Sequence, residues 1–264
     1  MARNKNAITI TLLANAGLIV EHAGTRILID GLFARQGHPF STLPTNMYDE
    51  MMRGEGLFAQ ADYLVFSHGH PDHYDPEAVA QYLQRNRVRG LFLPPDAGGC
   101  NAPAKEAARA QGAYVWESGL ELGQAHACEL QSGLRLELLA LPHMEMGSFS
   151  AYGQVDCSCI LLEFDGRSLF FGGDCDALPP ARFAPFTQTE IEAAFINPYF
   201  YHTARGRAAL CNYIRPRHTF ICHLPFAGEE DTLQLHALLR HDLRRAEGPA
   251  AVPLDGLCQQ AVLA

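Results

Sequence analysis

Paired cysteines are missing from this chain: the eight present, at positions 100, 128, 157, 159, 175, 211, 222 and 258, form no C-x-x-C pair. Several lie inside apolar stretches, so they read as buried free thiols of a reducing compartment and not as a disulfide framework. No run of 18 or more apolar residues occurs, and no spanning helix is expected. The N-terminus has Arg3, Lys5 and an A-x-A form at Ala14-Asn15-Ala16, but residues 7–12 alternate Ile with Thr at period two. That alternation suits a strand and argues against a signal core. The expected location is the cytoplasm. A basic arm is also lacking. With 29 acidic and 20 basic residues the net charge is −9, and polyanion binding draws on basic surface, so nucleic acid is a disfavoured partner. There is no Gly-x-Ser-x-Gly nucleophile elbow, no evident repeat, no low-complexity segment and no linker. Nothing in the chain sets an oligomeric state.

What remains is an ordinary globular mixture, 48% hydrophobic and 19% charged over 264 residues. One domain spanning 1–264 is expected, since α/β and all-β domains of about 250 residues are common and large enough to need no staples. The chain opens as a β-meander: strands over 7–13, 18–21 and 26–30, with a hairpin turn at Ala23-Gly24. Residues 31–60 lose periodicity and read as a lid or substrate-facing insertion. A strand over 62–67 follows. Pro76 then opens a helix to about 86 with Ala78, Val79, Tyr82 and Leu83 on one face. Residues 91–93 and 114–116 read as strands and 102–111 as a helix. Further strands are expected over 125–130, 134–141, 158–164, 168–171, 193–196 and 218–222, with helices over 204–214 and 231–245. The last helix places Leu235, Leu238, Leu239 and Asp242 at helical spacing. The segment 181–192 is ambiguous. Strand-rich halves that each finish in β/α units suggest two sheets packed face to face with helices outside.

The densest chemistry follows the apolar run Tyr63-Leu64-Val65-Phe66. Ser67-His68-Gly69-His70-Pro71-Asp72-His73 places three imidazoles and a carboxylate within six residues. Unpaired imidazoles at the end of a buried strand stabilise nothing, and burying polar groups without partners is costly. The H-x-H-x-D-H spacing fits metal chemistry: His68 and His70 can turn toward one ion, while Asp72 and His73, a turn further on, can reach a second. Other apolar runs also deliver one ligand type at their ends. The stretch ending at Leu141 leads to His143, that ending at Phe171 to Asp174, and that ending at Cys222 to His223.

Taken in chain order, His68, His70, Asp72, His73, His143, Asp174 and His223 resemble the complete ligand set of the metallo-β-lactamase fold superfamily. The resemblance spans nearly the whole chain. It implies a four-layer αββα sandwich in which His68, His70 and His143 hold one metal ion, Asp72, His73 and His223 the second, and Asp174 bridges them. Imidazoles and carboxylates suit Zn²⁺, with Mn²⁺ or Fe as alternatives. Two ions about 3.5–4 Å apart bring a bound water's pKa down to about 7 and polarise a carbonyl or phosphoryl oxygen. Hydrolysis of a small ester, lactone or phosphodiester is therefore expected, with Asp72 as proton acceptor or holder of the water. The resemblance is nearest the group that includes ascorbate-6-phosphate lactonase-like hydrolases. Asp174 stands where true zinc β-lactamases use cysteine, which argues against antibiotic hydrolysis. Cys175 reads as packing behind the site.

Outside the ligands, Asn197, Tyr199 and His202, in the segment after strand 193–196, are candidates for substrate binding. His202 is also a candidate acid. Arg205 and Arg207 could meet a phosphate. Met144, Glu145, Met146 and Tyr152 could line a pocket, and Asn15 is a further candidate in the first turn. His38, His126, His218, His236 and His241 read as ordinary histidines. Two rival readings are a tRNA-3′-processing-type phosphodiesterase, opposed by the charge balance, and an iron redox or non-catalytic metal module. A redox role usually needs a flavin partner domain, for which 264 residues leave no room.

Overall fold

The computed structural model describes residues 6–96, 98–144, 156–245 and 247–264. Contacts divide the chain into two compact units, Met1–Gly119 with Gly256–Ala264, and Leu120–Asp255.

The first unit is built on a seven-stranded sheet. Its strands are β1 (Ile8–Leu12), β2 (Leu18–His22), β3 (Thr25–Ile29), β4 (Tyr63–Val65), β5 (Gly90–Leu93), β6 (Tyr114–Glu117) and the chain's last strand, β14 (Gln260–Leu263). The order is β14-β1-β2-β3-β4-β5-β6. Pairing is antiparallel from β14 to β3 and parallel from β3 to β6. Ile8, Ile10, Val20, Ile27, Leu28, Leu64, Val65, Leu91 and Phe92 are buried on it. Among its described residues this unit carries the helices α1 (Thr45–Arg53), α2 (Pro76–Leu83) and α3 (Ala102–Ala110). Proline opens α2 at its first turn, where no amide partner is lost, and the Asp75 carboxylate accepts from the amide of Glu77 at 3.0 Å. Its buried face is Ala78, Val79, Tyr82 and Leu83, as the spacing predicts.

The second unit repeats this scheme with strands β7 (Ala125–Gln131), β8 (Leu134–Pro142), β9 (Asp156–Phe164), β10 (Arg167–Phe171), β11 (Ile191–Ile196), β12 (His218–Ile221) and β13 (Ala251–Pro253). The order is β13-β12-β11-β10-β9-β8-β7, antiparallel from β7 to β10 and parallel from β10 to β13. Its helices are α4 (Pro198–His202), α5 (Ala204–Ala209) continued by a π-helical turn over Leu210–Ile214, and α6 (Leu235–Arg245). Two mixed sheets, each with its own helices, are the αββα metallo-β-lactamase fold.

Several local expectations need correction. Residues 31–60 are not a bare insertion: they hold α1 and a 3-10 turn over Gly56–Phe58. Leu43, Met51 and Phe58 are buried, the Tyr82 hydroxyl donates to the Phe58 carbonyl at 2.6 Å, and Gly54 closes α1 at φ 63°. The sequence hides α1 because Pro44 offers no capping side chain and only Met51 of the helix is buried. The ambiguous segment forms a 3-10 helix over Pro180–Gln188. Helix α6 begins four residues later than expected, because the Asp231 carboxylate turns to accept the amides of Leu235 and His236, both at 2.8 Å. The short edge strands β13 and β14 carry too few residues to show a period. All eight cysteines are free. No helix among the described residues is long and apolar enough to cross a membrane.

Candidate metal centre

In the first unit the chemistry gathers after the strand at which antiparallel pairing gives way to parallel pairing and after the parallel strand next to it; in the second unit the ends of β8 and β12 add to those two. Open α/β sheets place ligands at the carboxyl ends of strands for the same topological reason.

In the first unit those ends are Asp30, after β3, and Ser67–His73, after β4. Asp30 is buried at φ 47°, in the left-handed region that aspartate tolerates better than most residues. It accepts from the Ser67 amide at 2.7 Å, the Ser67 hydroxyl at 2.6 Å and His73 Nδ1 at 2.9 Å. The Nδ1 proton of His73 is thereby committed, and Nε2 keeps its lone pair, 3.4 Å from Asp72 Oδ2. Ser67 Oγ, having donated to Asp30, accepts from His68 Nδ1 at 3.0 Å. His68 Nε2 lies 3.1 Å from Nδ1 of His70. The Asn15 side-chain amide, at φ 53° in the first turn, donates to Asp72 Oδ2 at 2.8 Å.

In the second unit the ends are His143 after β8, Asp174 after β10, Asn197 after β11 and His223 after β12. Asp174 Oδ2 faces His223 Nε2 at 3.4 Å and His143 Nε2 at 3.6 Å. The Nδ1 proton of His143 goes to the Met144 carbonyl at 2.7 Å. Asn197 donates from Nδ2 to Asp174 Oδ1 at 2.9 Å and to the Gly173 carbonyl at 3.1 Å, while its Oδ1 caps α4 by accepting the Phe200 amide at 2.7 Å. His223 adopts φ 62°. Backbone held in sparsely populated regions clusters at functional sites, where the surroundings fix it.

Candidate ligand atoms fall into three groups, each with its members within 4.8 Å of one another: His68, His70 and His143; His68, His73 and Asp174; and Asp72, His73 and His223. A tetrahedral ion with bonds of about 2.0–2.1 Å separates its ligand atoms by about 3.3–3.4 Å. The measured pairs, 3.1 to 3.6 Å, bracket that value. Nitrogens whose ring partners are tied to a carboxylate, a hydroxyl or a carbonyl are pre-oriented for a cation. The donor set therefore fits a dinuclear metal centre.

The remaining candidates separate clearly. Cys175 is fully buried; desolvation first, then the neighbouring thiols of Cys157 and Cys159, push its pKa well up. Burial, followed by the charge of Asp231, raises the pKa of Tyr199. His202 Nδ1 meets Asp242 at 2.9 Å. Arg205 is exposed, whereas Arg207 bonds the carbonyls of Tyr201 and His202 and the carboxylate of Glu247. Of the pocket candidates after His143, Glu145, Met146 and Tyr152 lie outside the described residues. The sequence reading missed Asp30 and Ser67. Asp30 ends an apolar strand just as Asp174 does, so the rule that found the one could have found the other.

Fold and donor set together define a class, the metal-dependent hydrolases of the metallo-β-lactamase superfamily. Residues 25–243 match the family model described as "Beta-lactamase superfamily domain", and the chain belongs to that family. No curated protein matches it. Among solved structures it resembles CmlA, a diiron beta-hydroxylase from Streptomyces venezuelae, at 16% identity and TM-score 0.61. That match covers 98% of this chain and 54% of CmlA, so the chain spans about half of that relative's length. It also resembles Igni18, a metallo hydrolase from Ignicoccus hospitalis, at 12% identity, TM-score 0.59 and coverage of 98% and 99%. Yeast PDE1 is similar at 10% identity and TM-score 0.58, with coverage of 98% and 100%. Likenesses this distant speak to the fold.

Proposed function

We propose that the chain acts as one hydrolase domain over residues 1–264, cleaving a small ester, lactone or phosphodiester at two metal ions. The observation that carries this reading is the set of three overlapping ligand groups, each within 4.8 Å. On this reading His68, His70 and His143 would hold one ion, Asp72, His73 and His223 would hold the other, and Asp174 would serve both. Zn²⁺ suits the imidazoles best, and the carboxylates also accept Mn²⁺ or Fe. Such ions, when bound, supply Lewis acidity and a water that ionises near neutral pH.

The chain's own residues do the rest. Asp30, Ser67 and the Met144 carbonyl fix the histidine tautomers, Asn197 steadies Asp174, and Asn15 steadies Asp72. Asp72 is positioned to take a proton from the attacking water or to hold it. Asn197, Tyr199 and His202 form the substrate side. The free cysteines favour a cytoplasmic location, and the net charge of −9 favours a small molecule over nucleic acid.

The test is a panel of lactones, phosphodiesters and thioesters, run on protein stripped by chelator and reloaded with Zn²⁺, Mn²⁺ or Fe²⁺ under metal analysis. Turnover that disappears on stripping and returns on reloading supports the reading; turnover indifferent to metal contradicts it. A second reading, an iron redox centre, draws on the carboxylate content and on the likeness to CmlA. It predicts visible absorption in freshly purified protein and a silent panel.

A further inference from the structure

Helix α6 breaks its own pattern. Its buried face is Leu235, Leu239 and Asp242, so a carboxylate occupies the third core position. Asp242 is 4% exposed; its Oδ2 accepts from His202 Nδ1 at 2.9 Å, and its Oδ1 has no hydrogen-bond partner among the described residues. A half-satisfied buried carboxylate is a costly way to join two helices. Helix α4 is held by other bonds as well: Arg207 of α5 bonds the carbonyls of Tyr201 and His202, and the Tyr201 hydroxyl donates to the Pro249 carbonyl, past the end of α6, at 2.8 Å. The His202 side chain stays 41% exposed, and with Nδ1 committed to Asp242 its free nitrogen is Nε2. His202 ends α4, and the residue capping that helix, Asn197, donates to Asp174. Five residues of helix are a rise of about 7.5 Å, so the imidazole and the bridging carboxylate share one end of the sheet.

We propose that His202, oriented by Asp242, is the proton donor to an alkoxide leaving group. The substrate is then an unactivated ester, lactone or phosphodiester of an aliphatic alcohol. The inference rests on the hydrolase reading above. As water adds and the bond to the leaving oxygen breaks, the electron pair stays on that oxygen, which takes the proton from Nε2 of the imidazolium. The ring is left neutral, its Nδ1–H still donating to Asp242, and water returns the spent proton to Nε2 in the next cycle. The other charges nearby are the Arg207 guanidinium, on the His202 carbonyl, and Glu247, paired with Arg207 at 3.1 Å. Asp242 is thus a positioning residue and His202 a catalytic one.

The experiment compares metal-loaded wild type with His202→Gln and Asp242→Leu on two probes, δ-valerolactone, whose leaving group is an alkoxide, and p-nitrophenyl acetate, whose leaving group needs no proton. Leucine restores the apolar stripe of α6, so Asp242→Leu is expected to melt no lower than wild type. Both variants should lose about 10²-fold in kcat on the lactone, the usual scale of general acid catalysis, and at least about tenfold less than that on the nitrophenyl ester. Long-range ¹H–¹⁵N spectra should show neutral His202 as the Nδ1–H tautomer in wild type and lose that preference in Asp242→Leu. Equal losses on both probes, unchanged lactone turnover, or an unchanged tautomer would overturn the proposal. A wild type inactive on both probes with metal bound would instead contradict the hydrolase reading and this inference with it.

Discussion

Asp30 shows how one side chain sets the state of a ligand it does not replace. Its two oxygens accept three hydrogen bonds, from the amide and hydroxyl of Ser67 and from His73. Asp30→Asn would present an amide where the His73 Nδ1–H needs an acceptor, so the ring loses its preferred tautomer while the volume is unchanged. We expect metal affinity to fall about 10–100-fold, measured by chelator competition, with melting little altered. An affinity equal to wild type would mean that Asp30 serves the fold alone. At this scale the sequence was most readable where ligands crowd together, as in His68–His73. It was least readable where a residue acts through another. Asp30, Ser67 and Asp242 have no spacing signature because their partners lie 43, 37 and 40 positions away in the chain. Asn197, legible as a polar residue at a strand end, spends its amide on Asp174 and on the α4 cap.

Among the elements, the segment between β3 and β4 departs most from its sequence reading. It is fastened to α2 through Tyr82, whose burial pushes its pKa up to about 12, from an ordinary value of 10.0, and whose hydroxyl bonds the Phe58 carbonyl. The folded-state pKa lies above the unfolded one, so the folded chain holds the proton more tightly. The associated stability is fully present below pH 10 and is lost as pH rises toward 12. Two pKa units correspond to roughly 2–3 kcal/mol. Tyr82→Phe should therefore show a shallower stability loss than wild type across that window in urea titrations. Parallel curves for the two proteins would remove Tyr82 from the account. Helix α2 was legible because proline, a capping aspartate and an apolar face agree. Helix α1 was not, because its N-cap is a proline with no capping side chain and Met51 alone of its residues is buried.

At the scale of the molecule, the same sheet plan occurs twice. In each unit an acid follows the strand where antiparallel pairing turns parallel, Asp30 after β3 and Asp174 after β10. Each acid bonds the polar residue ending the next parallel strand, Ser67 in one unit and Asn197 in the other. No repeat is visible in the residues themselves; it resides in backbone pairing, which many sequences satisfy. As proposed above, these strand ends would hold two metal ions through His68, His70, His143, Asp72, His73, Asp174 and His223. Elemental analysis of purified wild type beside the double variant His68→Ala/His70→Ala tests it most directly. The expected result is about two ions per wild-type chain, with loss of the metal and of metal-dependent hydrolysis in the variant. A variant that folds and keeps the full metal content would contradict it.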